Sequence, residues 1–513
     1  MKLVNLLMNT LDVPTEHGMP LMRDTCQQTY GTRMLESFAK VVEIPELLSL
    51  IFVHCLPTIK FSTPDPKKAP LILSHVCKHW RNVALNTPCL WTTLRMFSHG
   101  CSEETANRQI QVLNHWIRFS GRCHLSFQLA YYNDETADIF VDSILRTVLN
   151  HADRCRHIDI QVPPQCDYPF LKWLEKGSHV LEFFRISSLY IIRRIHEDIS
   201  VTMDLSKFPN LRSFNVKSIR LQLAWIDVPT CLQTFSLECD KFSLKSCNSI
   251  AKTLKKFHLL LMESENQNIF EVMAKCFPEL ESIEYYTGMP SFVPQGRIEF
   301  PHLRRLMLSS EGLESSGLYN SLYLPSLSSL DVYLKLAYDT NWPHLAALLR
   351  DSSPPLKKVT INVEGLNEQS VIDILRTVPN LTSLIIYDAH MSGDTLIALT
   401  LPSVGDGNTG YRPIAEIEPL CPHLEELSLL QDPVYPKFPT NLALNMIASR
   451  RCRPSDDSGP EPRRPWSILN YCRIEVDDSD SLRSHPDIMK YLEDGLVLET
   501  EVEDIDFGES VEF

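Results

Sequence analysis

Two stretches, PHLRRLML at residues 301–308 and PSLSSLDV at residues 325–332, decide the fold. Each sets apolar residues at i, i+3 and i+5, Leu303/Leu306/Leu308 and Leu327/Leu330/Val332, with a proline two positions ahead. The last two members lie two apart, on the same face of an extended chain, which is how a short strand buries one face. The proline marks a turn into that strand. The same triplet recurs at Leu181/Phe184/Ile186, Leu211/Phe214/Val216, Leu232/Phe235/Leu237, Leu254/Phe257/Leu259 and Leu280/Ile283/Tyr285. It continues at Leu356/Val359/Ile361, Leu381/Leu384/Ile386 and Leu424/Leu427/Leu429, and Pro209, Pro379 and Pro422 repeat the turn signal. Eight intervals cover the 200 residues from Leu181 to Leu381, a mean of 25.

A period of 25 falls within the leucine-rich-repeat range. Each copy then supplies a strand and a return segment, and residues 266–276, 342–350 and 368–377 have the spacing of returning helices. The expected fold class is α/β: a small helical module followed by an irregular leucine-rich-repeat solenoid. Leu125/Phe127 and Ile158/Ile160 resemble earlier fragments of the pattern, residues 442–450 look helical, and Leu469, Cys472 and Ile474 form a degenerate final copy. The expected organisation is a poorly defined segment at 1–40, a helical module at 41–97, a connecting region at 98–180, repeats at 181–474 and an acidic tail at 475–513. An insertion near 400–416, containing SVGDGNTG, interrupts the repeats and reads as an excursion. It lacks the glycine, lysine and hydroxyl order of a phosphate-binding loop.

Composition narrows the class. The chain has 513 residues and 44% hydrophobic residues, too long for one ordinary core and too apolar for disorder. Its formal charge of -15 argues against general nucleic-acid binding, and Arg483 and Lys490 are the only basic residues from Glu475 onward. That acidic stretch reads as a solvated end. Fifteen scattered cysteines without a CxxC pair point to reduced thiols in the cytoplasm or nucleus. No apolar run is long enough for a membrane span.

The N-terminal segment IPELLSLIFVHCLP (44–57) begins a helix at Pro45, with Leu47, Leu48, Ile51 and Phe52 at helical spacing. A second helical piece spans residues 70–86, and Leu90, Trp91 and Leu94 follow Pro88 as a packing group. Residues 58–69, between the two, read as an exposed loop. These motifs, with Val76-Cys77, Trp80-Arg81, Thr87-Pro88 and Leu90-Trp91, resemble the F-box-like module of the large families of mushroom-forming fungi. The resemblance implies a substrate-recognition adaptor of a cullin–RING ubiquitin ligase. A Skp-type linker, and through it a cullin, would bind at Pro45, Leu47, Leu48, Ile51, Phe52, Val76, Trp80 and Trp91, while the repeats hold a target protein. Ordinary burial is the competing role of Trp80 and Trp91. The alternative is a leucine-rich-repeat interaction scaffold outside any ligase, with the same helices as its cap or as another docking site.

Nothing in the sequence asks for catalysis or a cofactor. His75 and His79 lie four apart without the glutamate of a zinc-protease helix, and Cys231, Cys239 and Cys247 lack two-residue ligand spacing. No nucleophile elbow or nucleotide-binding turn occurs. The expectation is a non-enzyme without metal or cofactor.

Overall fold

The computed structural model describes residues 43–57, 61–98, 102–131, 138–162, 168–188, 199–225, 229–244, 250–261, 269–287, 294, 296–311, 316–387, 389, 391–401, 420–431, 435–451 and 466–500. The segment 1–40, the excursion at 403–410, Cys247 and residues 501–513 lie outside them. The chain divides into two compact units, Met1–Leu221 and Gln222–Phe513.

In the first unit, β1 (Thr93–Ser98), β2 (Leu125–Tyr131), β3 (Cys155–Val162) and β4 (Phe183–Ser188) form a parallel ladder. After β5 (Ile199–Met203), the ladder continues in β6 (Ser213–Trp225), which pairs in parallel with β4. Helices Glu103–Phe119, Asp138–Leu149 and Tyr168–Trp173 lie between the strands in sequence. Leu94, Phe127, Ile158, Phe184 and Phe214 stand in register and are buried.

The helices before β1 belong to the same packing. Leu48 and Phe52, from the helix Pro45–His54, are fully buried, and the Phe52 ring lies 4.9 Å from Trp80. The piece expected at 70–86 is two helices, Leu71–His75 and Lys78–Leu85, because Cys77 turns extended and its sulfur caps the Trp80 amide. Trp91 donates from Nε1 to Ala84 O at 2.9 Å and meets Trp116 edge-on at 5.0 Å. Ser62 O receives the Arg95 amide at 2.7 Å, so the loop after the first helix lines the edge of β1. Phe61, Ser62 and Ala69 are buried in this loop, which the sequence reading had placed in solvent.

The second unit runs through β7 (Thr234–Leu244), β8 (Lys256–Leu261), β9 (Ser282–Thr287), β10 (Ile298–Glu299), β11 (Arg305–Glu311), β12 (Leu322–Tyr323), β13 (Ser329–Thr340), β14 (Lys358–Leu366), β15 (Ser383–Tyr387), β16 (Glu426–Leu429), β17 (Tyr471–Ile474) and β18 (Val497–Glu499). All but β10 and β12, which pair with each other, join one parallel ladder in chain order. Parallel strands need a crossover, and helices Ile269–Cys276, His344–Ser352, Glu368–Arg376 and Thr440–Arg451 occupy such connections. Phe235, Phe257, Ile283, Leu306, Leu330, Val359, Leu384, Leu427 and Cys472 form one continuous buried column. Gly365 (φ +82°) sits beside the register shift between β13 and β14, where a Cβ would come within 2.5 Å of Ala337 O.

The expected fold, a small helical cap followed by a leucine-rich-repeat solenoid, is corrected on this topology. The fold is α/β, with parallel strands interleaved with helices, and its ladder starts at Thr93 inside the stretch assigned to the cap. A period of 25 residues reports a strand and the crossover that returns to the next strand. Any parallel α/β ladder needs that length, so the period does not single out a leucine-rich repeat.

The C-terminal stretch also differs from its sequence reading. Helices Ser479–Ser484 and Pro486–Glu493 and strand β18 fold there, and Val476, Leu482, Ile488 and Leu498 are buried. Of two adjacent buried arginines, Arg451 braces it and Arg450 ties its own helix to the stretch before β16. The Arg450 guanidinium donates to the carbonyls of Leu399, Leu420 and Cys421 at 2.6–2.9 Å, and Arg451 donates to Leu469, Tyr491 and Asp494 at 3.0 Å. Arginine suits this task because its fixed fork of donors can satisfy several backbone carbonyls at once.

Candidate functional site: the polar face of the second sheet

Successive residues of a strand point to opposite faces. The column from Phe235 to Cys472 turns one face of the second unit's sheet into core, so the residues between its members form the other face. That face is banded. Nearest the strand starts lies a row containing Lys256, Ser282, Arg305, Ser329, Lys358, Ser383 and Glu426. The next row contains His258, Glu284, Met307, Asp331, Thr360, Ile385 and Ser428. The third is Leu260, Tyr286, Ser309, Tyr333, Asn362 and Tyr387, in register across β8, β9, β11, β13, β14 and β15.

Tyr286, Tyr333 and Tyr387 therefore stand on alternate strands with Ser309 and Asn362 between them, all five half-buried. Neighbouring strands lie about 4.8 Å apart, which puts consecutive tyrosines roughly 9.6 Å apart. Tyr286 donates its hydroxyl to Met307 Sδ at 2.7 Å. Burial, aided by the negative charge of Glu284, pushes the Tyr286 phenol up to about 12. Burial and the charge of Asp331 also raise Tyr333, so both rings present neutral hydroxyls at physiological pH.

The charged row is tied internally. His258 Nδ1 lies 3.1 Å from Glu284 Oε2, and its Nε2 lies 3.6 Å from Glu238 Oε1, which is ion-pair range. Burial alone would lower the imidazole, but the carboxylates of Glu238 and Glu284 outweigh it and leave the pKa raised. Contact with His258 holds Glu284 below the usual carboxylate range, against its own partial burial. Arg305 links the chain onward, with Nε 3.8 Å from Glu284 and Nη2 3.7 Å from Asp331. Beyond the tyrosines, Lys335 pairs with Glu364 at 2.9 Å. The row bordering the tyrosines thus carries Glu284 and the buried Asp331 together with His258, and Arg305 reaches both carboxylates from the row further out.

The residues proposed from sequence lie in the first unit. Leu48, Phe52, Trp80 and Trp91 are core side chains, Ile51 and Val76 are half-buried, and Pro45 and Leu47 are exposed. They do not contribute to the banded face. Sequence reading missed Tyr286, Tyr333, Tyr387, His258, Glu238, Glu284, Arg305 and Asp331. For all of these but Arg305, the available signal was a position between the last two members of a triplet or just after the last. Among the described residues no group of His, Cys, Asp and Glu could hold a metal ion; Cys231 and Cys239 are half-buried and buried, and His75 and His79 are exposed. No described helix is long and apolar enough to cross a membrane.

No protein-family model matches the chain, and no curated protein matches it. The F-box resemblance therefore stands on its motif residues alone, and the structure uses four of those residues as core of an α/β unit. The assignments that rested on it are corrected: the ubiquitin-ligase adaptor, the Skp-type linker and cullin as partners, the target protein held by repeats, and the alternative of a leucine-rich-repeat scaffold with a helical cap.

Proposed function

We propose that this chain is a non-catalytic binding protein whose tyrosine row receives an extended, basic segment of another polypeptide. The carrying observation is the row Tyr286–Ser309–Tyr333–Asn362–Tyr387 beside the carboxylates of Glu284 and Asp331. Tyrosine offers rigid contact area with a polar tip at small entropic cost, which is why it is favoured at recognition surfaces. An aromatic face next to a carboxylate attracts guanidinium and ammonium groups, and the acidic chain as a whole steers a basic partner toward it. His258, with a carboxylate facing each ring nitrogen, is charge-paired and does not stand as a free base. The free cysteines among the described residues suit the cytoplasm or nucleus.

Fluorescence anisotropy with labelled peptides tests this reading. A peptide alternating arginine and serine binds the full chain, and its glutamate counterpart does not. The triple variant Tyr286→Ala, Tyr333→Ala, Tyr387→Ala weakens arginine-peptide binding by about tenfold or more, roughly 1.4 kcal/mol. Equal binding of both peptides, or an unchanged affinity in the triple variant, refutes the reading.

A further inference from the structure

The face already holds a titratable cation of its own. His258, on β8, has Glu238 of β7 on one side, with Nε2 3.6 Å from Oε1, and Glu284 of β9 on the other, with Nδ1 3.1 Å from Oε2. Its ring centre lies 5.7 Å from that of Tyr286, within the range at which a cation is attracted to an aromatic ring. One side chain therefore reaches both features that the face offers to a basic ligand, a carboxylate and the first tyrosine of the row. The carboxylates differ in access. Glu284 keeps 19% of its side-chain surface, against 7% for Glu238 and 9% for Asp331. Glu284 is thus the carboxylate within easiest reach of a ligand's cation, and it is the one that His258 holds.

We infer that His258 is a proton-operated gate on this face: its charged ring competes with the ligand's cation for Glu284 and Tyr286, and loss of the proton yields both to the ligand. This inference rests on the basic-segment reading above and adds the regulation of that site. Facing the ring are Glu238 from β7 and Glu284 and Tyr286 from β9; Arg305 from β11 and Asp331 from β13 extend the chain of charge, and Lys256 lies on the same strand. Imidazole is the side chain whose ordinary titration falls between pH 5 and 8. Burial lowers that of His258, and the two carboxylates more than restore it. The gate is therefore closed below the ordinary value of 6.5 and opens as pH rises through the higher folded value. Glu284, held low, and Tyr286, pushed up to about 12, keep their own charge states across that range. Because coupling between two binding events is reciprocal, docking of a cation must in turn drive the proton off His258.

Binding of the labelled arginine–serine peptide to the full chain is measured near pH 6 and near pH 8.5 at equal ionic strength. The wild type is expected to bind about fivefold tighter near pH 8.5. His258→Gln should bind alike at both, with the affinity that the wild type shows near pH 8.5. Equal wild-type affinity at the two values, or a pH dependence that survives in the variant, overturns the gate and leaves the basic-segment reading in place; no binding at either pH overturns both. Calorimetry of the wild type near pH 7, in two buffers of different ionisation enthalpy, decides the same point without a substitution. Peptide binding should release a fraction of a proton, and a binding heat that does not depend on the buffer overturns the gate.

Discussion

The two faces of the second unit's sheet are built from the same strands and obey different rules. On one face Leu306, Leu330, Val359 and Leu384 succeed each other as interchangeable aliphatic residues, all fully buried. On the other, Tyr286, Ser309, Tyr333, Asn362 and Tyr387 alternate large and small, and the neighbouring row holds His258, Glu284 and Asp331, tied together by Arg305 from the row beyond. The first face needs only that each repeat be apolar. The second has meaning only when residues about 25 apart are read together, because its pattern runs across the strands. A fold can therefore be specified repeat by repeat, while the binding surface is specified between repeats.

The largest effect that separates the faces is expected at the core. Leu330→Ala removes a fully buried side chain between Leu306 and Val359 and should cost about 2–5 kcal/mol, read as a lower urea midpoint. Tyr333→Ala, on the same strand but half-buried on the opposite face, should cost roughly 1 kcal/mol of stability. Its main effect is on the arginine peptide, whose affinity falls about fivefold to tenfold in the same anisotropy assay. If the two substitutions destabilise equally, the division of labour between the faces is lost.

A smaller effect concerns His258. Its folded pKa is raised above the ordinary value of 6.5, so its charged pairing with Glu238 and Glu284 is fully present below that value and fades as pH rises through the folded one. The stability advantage of the wild type over His258→Gln should accordingly be larger near pH 6 than near pH 8.5, measured by urea unfolding at both. A pH-independent difference would mean that the ring acts by packing alone. The smallest effect is expected at Lys335→Ala, which breaks an exposed pair with Glu364 and should change stability by no more than about 0.5 kcal/mol in thermal melts.

How much of this was legible in the sequence follows from the same contrast. The triplets located strands β4, β6, β7, β8, β9, β11, β13, β14, β15 and β16, and the fragments at Phe127 and Ile158 located β2 and β3, because alternation is a local property. The helices His344–Ser352, Glu368–Arg376 and Thr440–Arg451 lie close to where periodicity put them, for the same reason. The architecture was misread because strand period and crossover length are shared by every parallel α/β ladder. The break at Cys77 escaped notice because one extended residue inside an apolar run leaves the helical spacing almost intact. The C-terminal stretch reads as a solvated tail because its acidic residues outnumber the few, widely spaced side chains that anchor it, Leu482, Ile488 and Leu498. Arg450 and Arg451 could not be recognised as buried, since their partners are backbone carbonyls that carry no sequence signature. The tyrosines each follow a triplet, but that they form a row depends on strand register, which no single repeat encodes.

The most direct test of the tyrosine face is photo-crosslinking of an arginine peptide that carries one benzophenone side chain, followed by mass spectrometry of the digested full chain. Crosslinks are predicted within β9, β11, β13, β14 and β15, at the segments holding Tyr286, Ser309, Tyr333, Asn362 and Tyr387, and they should disappear in the triple tyrosine variant. Crosslinks concentrated on the helices of residues 45–91, or persisting at full yield in that variant, would contradict the account.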